Sequence, residues 1–143
     1  WSAAGLELLT REISINSETA EKALSEFSAP TLDYATNFAQ ATAMADVSDS
    51  ILVQAEQIAV ASGVQLALNQ SLIAAAPEFD ELSQIAAELK VDVMQWILAG
   101  GEDHALLATG MNLPGVRIGS VVAGSGITGV EMKKAPVSWS HFL

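Results

Sequence analysis

Apolar side chains recur along the chain at helical spacing, and shorter apolar or alternating stretches lie between the helical segments. The helical pattern predicts helices over residues 2–12, 17–28, 49–62, 77–89 and 92–98. The shorter stretches predict strands over residues 42–47, 64–69 and 104–109, and a hairpin formed by residues 116–122 and 127–132. Because strict β-α-β alternation is missing, the predicted fold class is α+β, with helices packed on a small mixed sheet.

Composition narrows the range of partners. The 143 residues have the usual size of one domain, and 50% of them are hydrophobic, enough for a core. Seventeen carboxylates face six Lys and Arg residues, a net charge of −11. This balance argues against nucleic acid and anionic membranes as partners, because both need clustered cations. No apolar run approaches the roughly 18 to 20 residues that span a bilayer. The sequence has no cysteine, which excludes disulfides and thiolate zinc sites and fits the cytoplasm.

Two carboxylates and a hydroxyl lie close together in Asp46-Val47-Ser48-Asp49, where a predicted strand leads into a predicted helix. Oxygen ligands of this kind suit Mg²⁺, which keeps several waters and bridges to substrate phosphates. The helix N-terminus behind them would add partial positive charge for a phosphate. The alternative is structural: Ser48 or Asp49 caps the helix and Asp46 is an ordinary surface residue.

Residues 100–104, Gly-Gly-Glu-Asp-His, lie between a predicted helix and a predicted strand. Glycines allow close backbone approach, and the acids could bind a cation, although a glycine C-cap followed by solvated acids explains the same residues. His104 is a weak candidate for a catalytic base. The tail around Trp139 is unusually aromatic, and it either packs on the core or stacks on a flat ligand.

These signals together resemble a known family. The segments ATAMADVSDS (residues 41–50), AGGEDHALLAT (99–109) and SWSHF (138–142) occur in the order typical of the C-terminal half of the thiamine-monophosphate kinases. That family is part of the aminoimidazole ribonucleotide synthetase superfamily. The resemblance implies a kinase that transfers the γ-phosphate of ATP to thiamine monophosphate, giving thiamine diphosphate, with Mg²⁺.

The resemblance also implies roles for individual residues. Asp46 and Asp49 match metal ligands, and Ser48 matches a nucleotide contact. Glu102 matches a substrate contact, and Trp139 matches an aromatic that packs on the substrate. No catalytic residue is assigned. The sequence departs from the family pattern at Ser50, where glycine is usual, and at His104, where tyrosine is usual. We expect Asp46, Glu102 and Trp139 to border one cleft.

The resemblance covers residues 1–143 as a single domain and leaves the family's N-terminal domain without a counterpart in this chain. That domain carries most ATP and Mg²⁺ ligands and the dimer interface in the family. We therefore expect the isolated domain to be inactive and the full-length protein to be a cytoplasmic homodimer. Two alternatives remain at this point. One is another ATP-dependent enzyme of the superfamily, of the selenophosphate synthetase or aminoimidazole ribonucleotide synthetase type, and the other is a non-catalytic ligand-binding module.

Overall fold

A computed structural model of the chain describes residues 1–13, 15, 17–32 and 36–131. Within these residues helices and strands alternate irregularly. In chain order they are α1 (Ser2–Thr10), α2 (Glu18–Ser28), β1 (Ala41–Val47), α3 (Ile51–Ser62), β2 (Gln65–Leu68), α4 (Gln70–Ala74), α5 (Phe79–Leu89), α6 (Val93–Ala99), β3 (Ala105–Gly110), β4 (Gly119–Val122) and β5 (Gly126–Thr128). The α+β class predicted from the sequence is confirmed. Helix α4, a single short turn capped by Asn69, was not predicted.

The strands form two small sheets in the described part of the chain, rather than the one sheet that was predicted. Strands β1 and β3 pair antiparallel, and Asp46 lies opposite Leu106. The second sheet is mixed: β2 lies in the centre, antiparallel to β4 and parallel to β5. Within the described residues the two sheets are not hydrogen-bonded to each other. Helix α3 contacts both of them and so connects them by packing.

The predicted hairpin is wrong, because β4 and β5 lie on opposite sides of β2 and do not pair with each other. The link of residues 123–125 crosses the end of β2, where the Gln65 side-chain amide donates to the Ser125 carbonyl at 3.3 Å. Gly124 and Gly126 have positive φ angles of 141° and 71°, which side-chain-bearing residues rarely adopt. The glycine cluster therefore serves this crossing rather than a tight hairpin turn.

The core lies in three clusters. The first joins α1, α2, α5 and α6, and it contains the buried residues Leu8, Ala23, Ile85 and Trp96. The second packs α3 on the two sheets, through Ala55, Ile58, Ala59 and Leu66. The third joins β2, α4 and α6, through Leu68, Ile73, Met94 and Leu98. Trp96 is a buried residue of this core.

No helix in the described ranges combines the length and the apolar character that crossing a bilayer requires.

A polar network holds the outer sides of α1, α2 and α5 together. The Lys22 ammonium lies 2.8 Å from Glu78 and 3.4 Å from Glu81, and 4.1 Å from the centre of the Trp1 ring. The Trp1 indole N–H donates to Glu78 at 2.6 Å. Partial burial alone would raise the pKa of Glu78, but hydrogen bonds from Lys22 and Trp1 outweigh it and hold the pKa below 4.5. Burial would lower the pKa of Lys22, but the two glutamates raise it above 10.5.

These opposite pKa shifts predict how stability depends on pH. Glu78 contributes to the stability of the folded state above its unfolded pKa, and this contribution is lost as pH falls through its lowered folded-state pKa. The contribution of Lys22 to stability is lost as pH rises through its raised folded-state pKa. Glu78→Gln should reduce the free energy of unfolding at pH 7 by about 0.5 kcal/mol, because solvent screens pairs this exposed. The difference from wild type should shrink as pH falls below 4.5.

Urea unfolding at pH 7 and pH 3 measures this difference. Glu88→Gln, which removes an exposed carboxylate from α5, the helix that Glu78 precedes, is the control and should behave as wild type. A loss in Glu78→Gln that is equally large at pH 3 would show that the network acts through packing and not through charge.

Candidate active site

The junction between β1 and α3 carries the first acidic motif. Alternation along β1 exposes Thr42, Met44 and Asp46 on the face away from the core, and the Asp46 side chain is 52% exposed. Ser48 and Asp49, which follow the strand, are half-buried. The charge of Asp46 is therefore accessible to a ligand, while the backbone that carries it is fixed by the pairing of β1 with β3.

Ser50 caps α3, which corrects the expectation that Ser48 or Asp49 has this role. The Ser50 hydroxyl oxygen accepts the Val53 N–H at 3.2 Å, and the Ser50 N–H donates to Gln54 Oε1 at 3.1 Å. Ser50 is 1% exposed and Gln54 is 4% exposed, so this cap lies inside the protein. A serine at this position supplies the cap itself, and the acidic residues before it are not needed for that purpose.

The second acidic motif docks directly on the first. The Glu102 N–H donates to the Ser48 carbonyl at 2.8 Å. Gly101 lies so close that a Cβ at this position would overlap the carbonyl oxygens of Ser48 and Asp49. This contact joins segments that are about fifty residues apart in the sequence, and only glycine permits it.

Three titratable side chains meet where the two motifs touch. The two imidazole nitrogens of His104 face different carboxylates: Nδ1 lies 3.6 Å from Asp46, and Nε2 lies 3.6 Å from Glu102. Both distances exceed that of a hydrogen bond. His104 thus links a residue matched to a metal ligand with one matched to a substrate contact, a position that the sequence did not predict.

The loop that carries Glu102 is anchored on its other side by α1. Asp103 Oδ1 accepts from the main-chain nitrogens of Trp1 and Ser2, at 2.9 and 2.8 Å. The Ser2 hydroxyl donates to the Glu102 carbonyl at 3.1 Å. The sequence offered Asp103 only as one of two acids that could bind a cation, and its role as an anchor was missed, because a cap supplied from a hundred residues away leaves no local sequence signal.

The structure tests part of the expected cleft. Asp46 and Glu102 lie on either side of the same imidazole, as expected for residues that border one site. Trp139 lies outside the described residues, so its place in the cleft stays a prediction.

The donors for a metal form an incomplete set. Asp46 and Asp49 offer carboxylate oxygens, the ligands that Mg²⁺ prefers. Within the ranges that the structure describes, no three His, Asp or Glu side chains are arranged to hold a metal ion. The residues fit a Mg²⁺ ion that takes its remaining ligands from water, substrate phosphates or another part of the protein.

The relatives that sequence comparison finds are named thiamine-monophosphate kinase. No family model matches the chain. A thiamine-monophosphate kinase from Corynebacterium glutamicum is 46% identical over 71 residues, which are 50% of this chain and 20% of that protein. The Aquifex aeolicus thiamine-monophosphate kinase is 30% identical over 150 aligned residues, which cover 99% of this chain and 48% of the kinase. The chain therefore spans at most about half the length of these relatives.

Solved structures agree. A structure of AaThiL complexed with AMPPCP and TMP superposes with a TM-score of 0.78 and 27% identity, and covers 99% of this chain and 48% of that one. The crystal structure of thiamine monophosphate kinase from Aquifex aeolicus superposes with a TM-score of 0.73 and 26% identity, and the match covers 92% of this chain and 48% of that one. The fold expected from the resemblance is confirmed.

Replacing Gly101 should break the contact between the two motifs. Gly101→Ala places a methyl group against two main-chain carbonyls that cannot rotate away, so we expect a loss of about 3 kcal/mol in the free energy of unfolding. Gly63→Ala is the control: its Cβ meets open space, and only its left-handed backbone costs stability, about 1 kcal/mol. Urea unfolding of both variants measures the difference. Equal losses would mean that the motifs tolerate separation.

Proposed function

This chain belongs to the thiamine-monophosphate kinase family, and we propose that it forms the C-terminal half of such an enzyme, because it spans at most about half the length of its relatives. The enzyme transfers the γ-phosphate of ATP to thiamine monophosphate and releases ADP and thiamine diphosphate. The observation that carries the proposal is the docking of residues 100–104 on the β1–α3 junction, which brings Asp46 and Glu102 to one place.

In this proposal Asp46 and Asp49 hold Mg²⁺. An ion held by these two carboxylates would supply positive charge to offset that of the phosphates. Asp46 suits this role because its carboxylate is exposed while its backbone is fixed in a strand pair. Two carboxylates alone bind Mg²⁺ weakly, so the site is complete only when nucleotide and the other half of the protein supply further ligands.

Ser48 is the proposed nucleotide contact in this half. Its carbonyl is engaged by the Glu102 N–H, which fixes its main chain next to the start of α3. The N-terminal end of α3, a helix of 12 residues, carries partial positive charge that favours a phosphate nearby. This hydrogen bond places the nucleotide contact beside the loop that carries the substrate contact.

Glu102 is the proposed substrate contact. Its side chain is 72% exposed, so the carboxylate can reach a ligand. Thiamine monophosphate carries a cationic thiazolium ring and a planar aminopyrimidine. A carboxylate can attract the ring cation or accept from the ring amine, and Trp139 is proposed to stack on the ring plane.

The charge balance explains why half of the protein is not enough. Six basic residues are scattered along a chain of net charge −11, and none of the four that lie in the described ranges belongs to the cluster of Asp46, Glu102 and His104. Phosphate groups brought here would be repelled unless metal ions and groups from elsewhere compensate. We therefore propose that the 143 residues alone are inactive. The homodimer and the cytoplasmic location stay predictions.

The activity is tested with the full-length protein, ATP and Mg²⁺. We expect thiamine diphosphate to form from thiamine monophosphate, detected by chromatography and mass spectrometry, and to disappear when EDTA removes the metal. ATP consumption only with an acceptor of the selenophosphate or aminoimidazole ribonucleotide synthetases would place the protein elsewhere in the superfamily. Absence of any ATP-dependent product would favour a binding module.

Asp46→Asn in the full-length protein should lower kcat at least about 100-fold, because it removes a metal-binding charge and keeps the shape. Stability should change little, since the side chain is half exposed. Asp80→Asn, which removes an exposed carboxylate from the first turn of α5, is the matched control and should keep full activity. Retention of activity in Asp46→Asn would reduce Asp46 to a surface residue.

A further inference from the structure

The loop of residues 100–104 is held from two sides. On one side, the Glu102 N–H donates to the Ser48 carbonyl at 2.8 Å. On the other side, Asp103 caps the start of α1 through the Ser2 N–H at 2.8 Å, and the Ser2 hydroxyl donates to the Glu102 carbonyl at 3.1 Å. Ser2 is 1% exposed, so these hydrogen bonds are shielded from competing water.

The loop backbone needs such support. Glu102 and His104 have φ angles of 64° and 50°, in the left-handed region that residues with a side chain rarely adopt. Two such residues on either side of Asp103 persist only where the surroundings fix them. Without its anchors the loop would relax to more common backbone angles, and the Glu102 side chain would point elsewhere.

The conformation separates neighbouring side chains. His104 faces both Glu102 and Asp46, while Asp103 reaches α1. One oxygen of Asp103 accepts from two main-chain nitrogens, those of Trp1 and Ser2. Helix α1 carries no capping side chain at its own N-cap residue, so Asp103 is its cap. The Oδ1 oxygen of Asp103 is therefore used to anchor the loop to α1.

We propose that Asp103, together with Ser2, is a positioning residue for substrate binding: it fixes the loop to α1 so that Glu102 faces the substrate side. This inference rests on the proposed function, because it takes Glu102 as the contact to thiamine monophosphate. Its consequence is selective. Loosening the anchor lowers the fraction of molecules that can bind thiamine monophosphate, while the proposed Mg²⁺ ligands Asp46 and Asp49 and the proposed nucleotide contact Ser48 keep their strand and helix supports.

The size of the effect follows from the population of the competent loop. If the variant holds the loop correctly about a tenth of the time, the apparent dissociation constant rises about tenfold. Asp103→Asn keeps one acceptor oxygen without the charge, so its effect should be smaller than that of Asp103→Ala. Ser2→Ala removes only the hydroxyl donor to the Glu102 carbonyl and should give a small increase of the same kind.

The experiment measures KM for thiamine monophosphate, KM for ATP and kcat in the full-length protein, with thiamine monophosphate binding measured by calorimetry. We expect KM for thiamine monophosphate to rise in the order wild type, Asp103→Asn, Asp103→Ala, reaching about tenfold, with KM for ATP unchanged. Asp80→Asn is the control for loss of one negative charge. Should Asp103→Ala fail to fold, Asp103→Asn and Ser2→Ala carry the test.

Two results would overturn the inference alone: an unchanged KM for thiamine monophosphate in the Asp103 variants of an active enzyme, or equal increases in both KM values, which a purely structural role would give. A wild-type protein that neither binds nor phosphorylates thiamine monophosphate would instead overturn the proposed function, and this inference with it.

Discussion

The contact of the Gly101 backbone with the carbonyls of Ser48 and Asp49 is the constraint on which the rest of the site depends. It requires a residue without a side chain, and it lets the Glu102 N–H reach the Ser48 carbonyl. The register of β3 on β1 continues this contact, since Asp46 lies opposite Leu106 just beyond the loop. Two acidic motifs far apart in sequence thereby form one cluster around His104.

In the proposed function the cluster is one wall of a site rather than a complete one. It would offer carboxylates to a metal and to a cationic substrate, and within the described residues it holds no full set of metal ligands. The chain spans about half of the Aquifex aeolicus relative, which agrees with a site that is completed by another part of the protein. The proposed kinase places phosphate neutralisation in Mg²⁺ and in the other half, and leaves recognition of the acceptor to the loop that carries Glu102.

Much of the fold could be predicted from local patterns. Helices α6 and α3 and strand β1 lie within a few residues of their predicted bounds, and Asp92 caps α6. The predicted hairpin of residues 116–122 and 127–132 was wrong, because the pairing of β4 and β5 with β2 is decided by contacts distant in sequence. Asp46 and Glu102 were predicted as site residues from their residue types and from the family resemblance. The positions of His104 and Asp103 could not be predicted, because their contacts join residues that are far apart in the sequence. Ser50, rather than Ser48 or Asp49, caps α3, because its hydroxyl accepts the Val53 N–H and its buried N–H donates to Gln54.

Native-state hydrogen exchange of the Glu102 amide tests the docking of the two motifs most directly. Because this amide donates to the Ser48 carbonyl at 2.8 Å, the account predicts protection close to that of the paired amides of β1 and β3. Exchange at the rate of an exposed loop, with β1 and β3 still protected, would contradict it. The two acidic motifs would then be neighbours without a fixed contact, and a single site built from them would lose its basis.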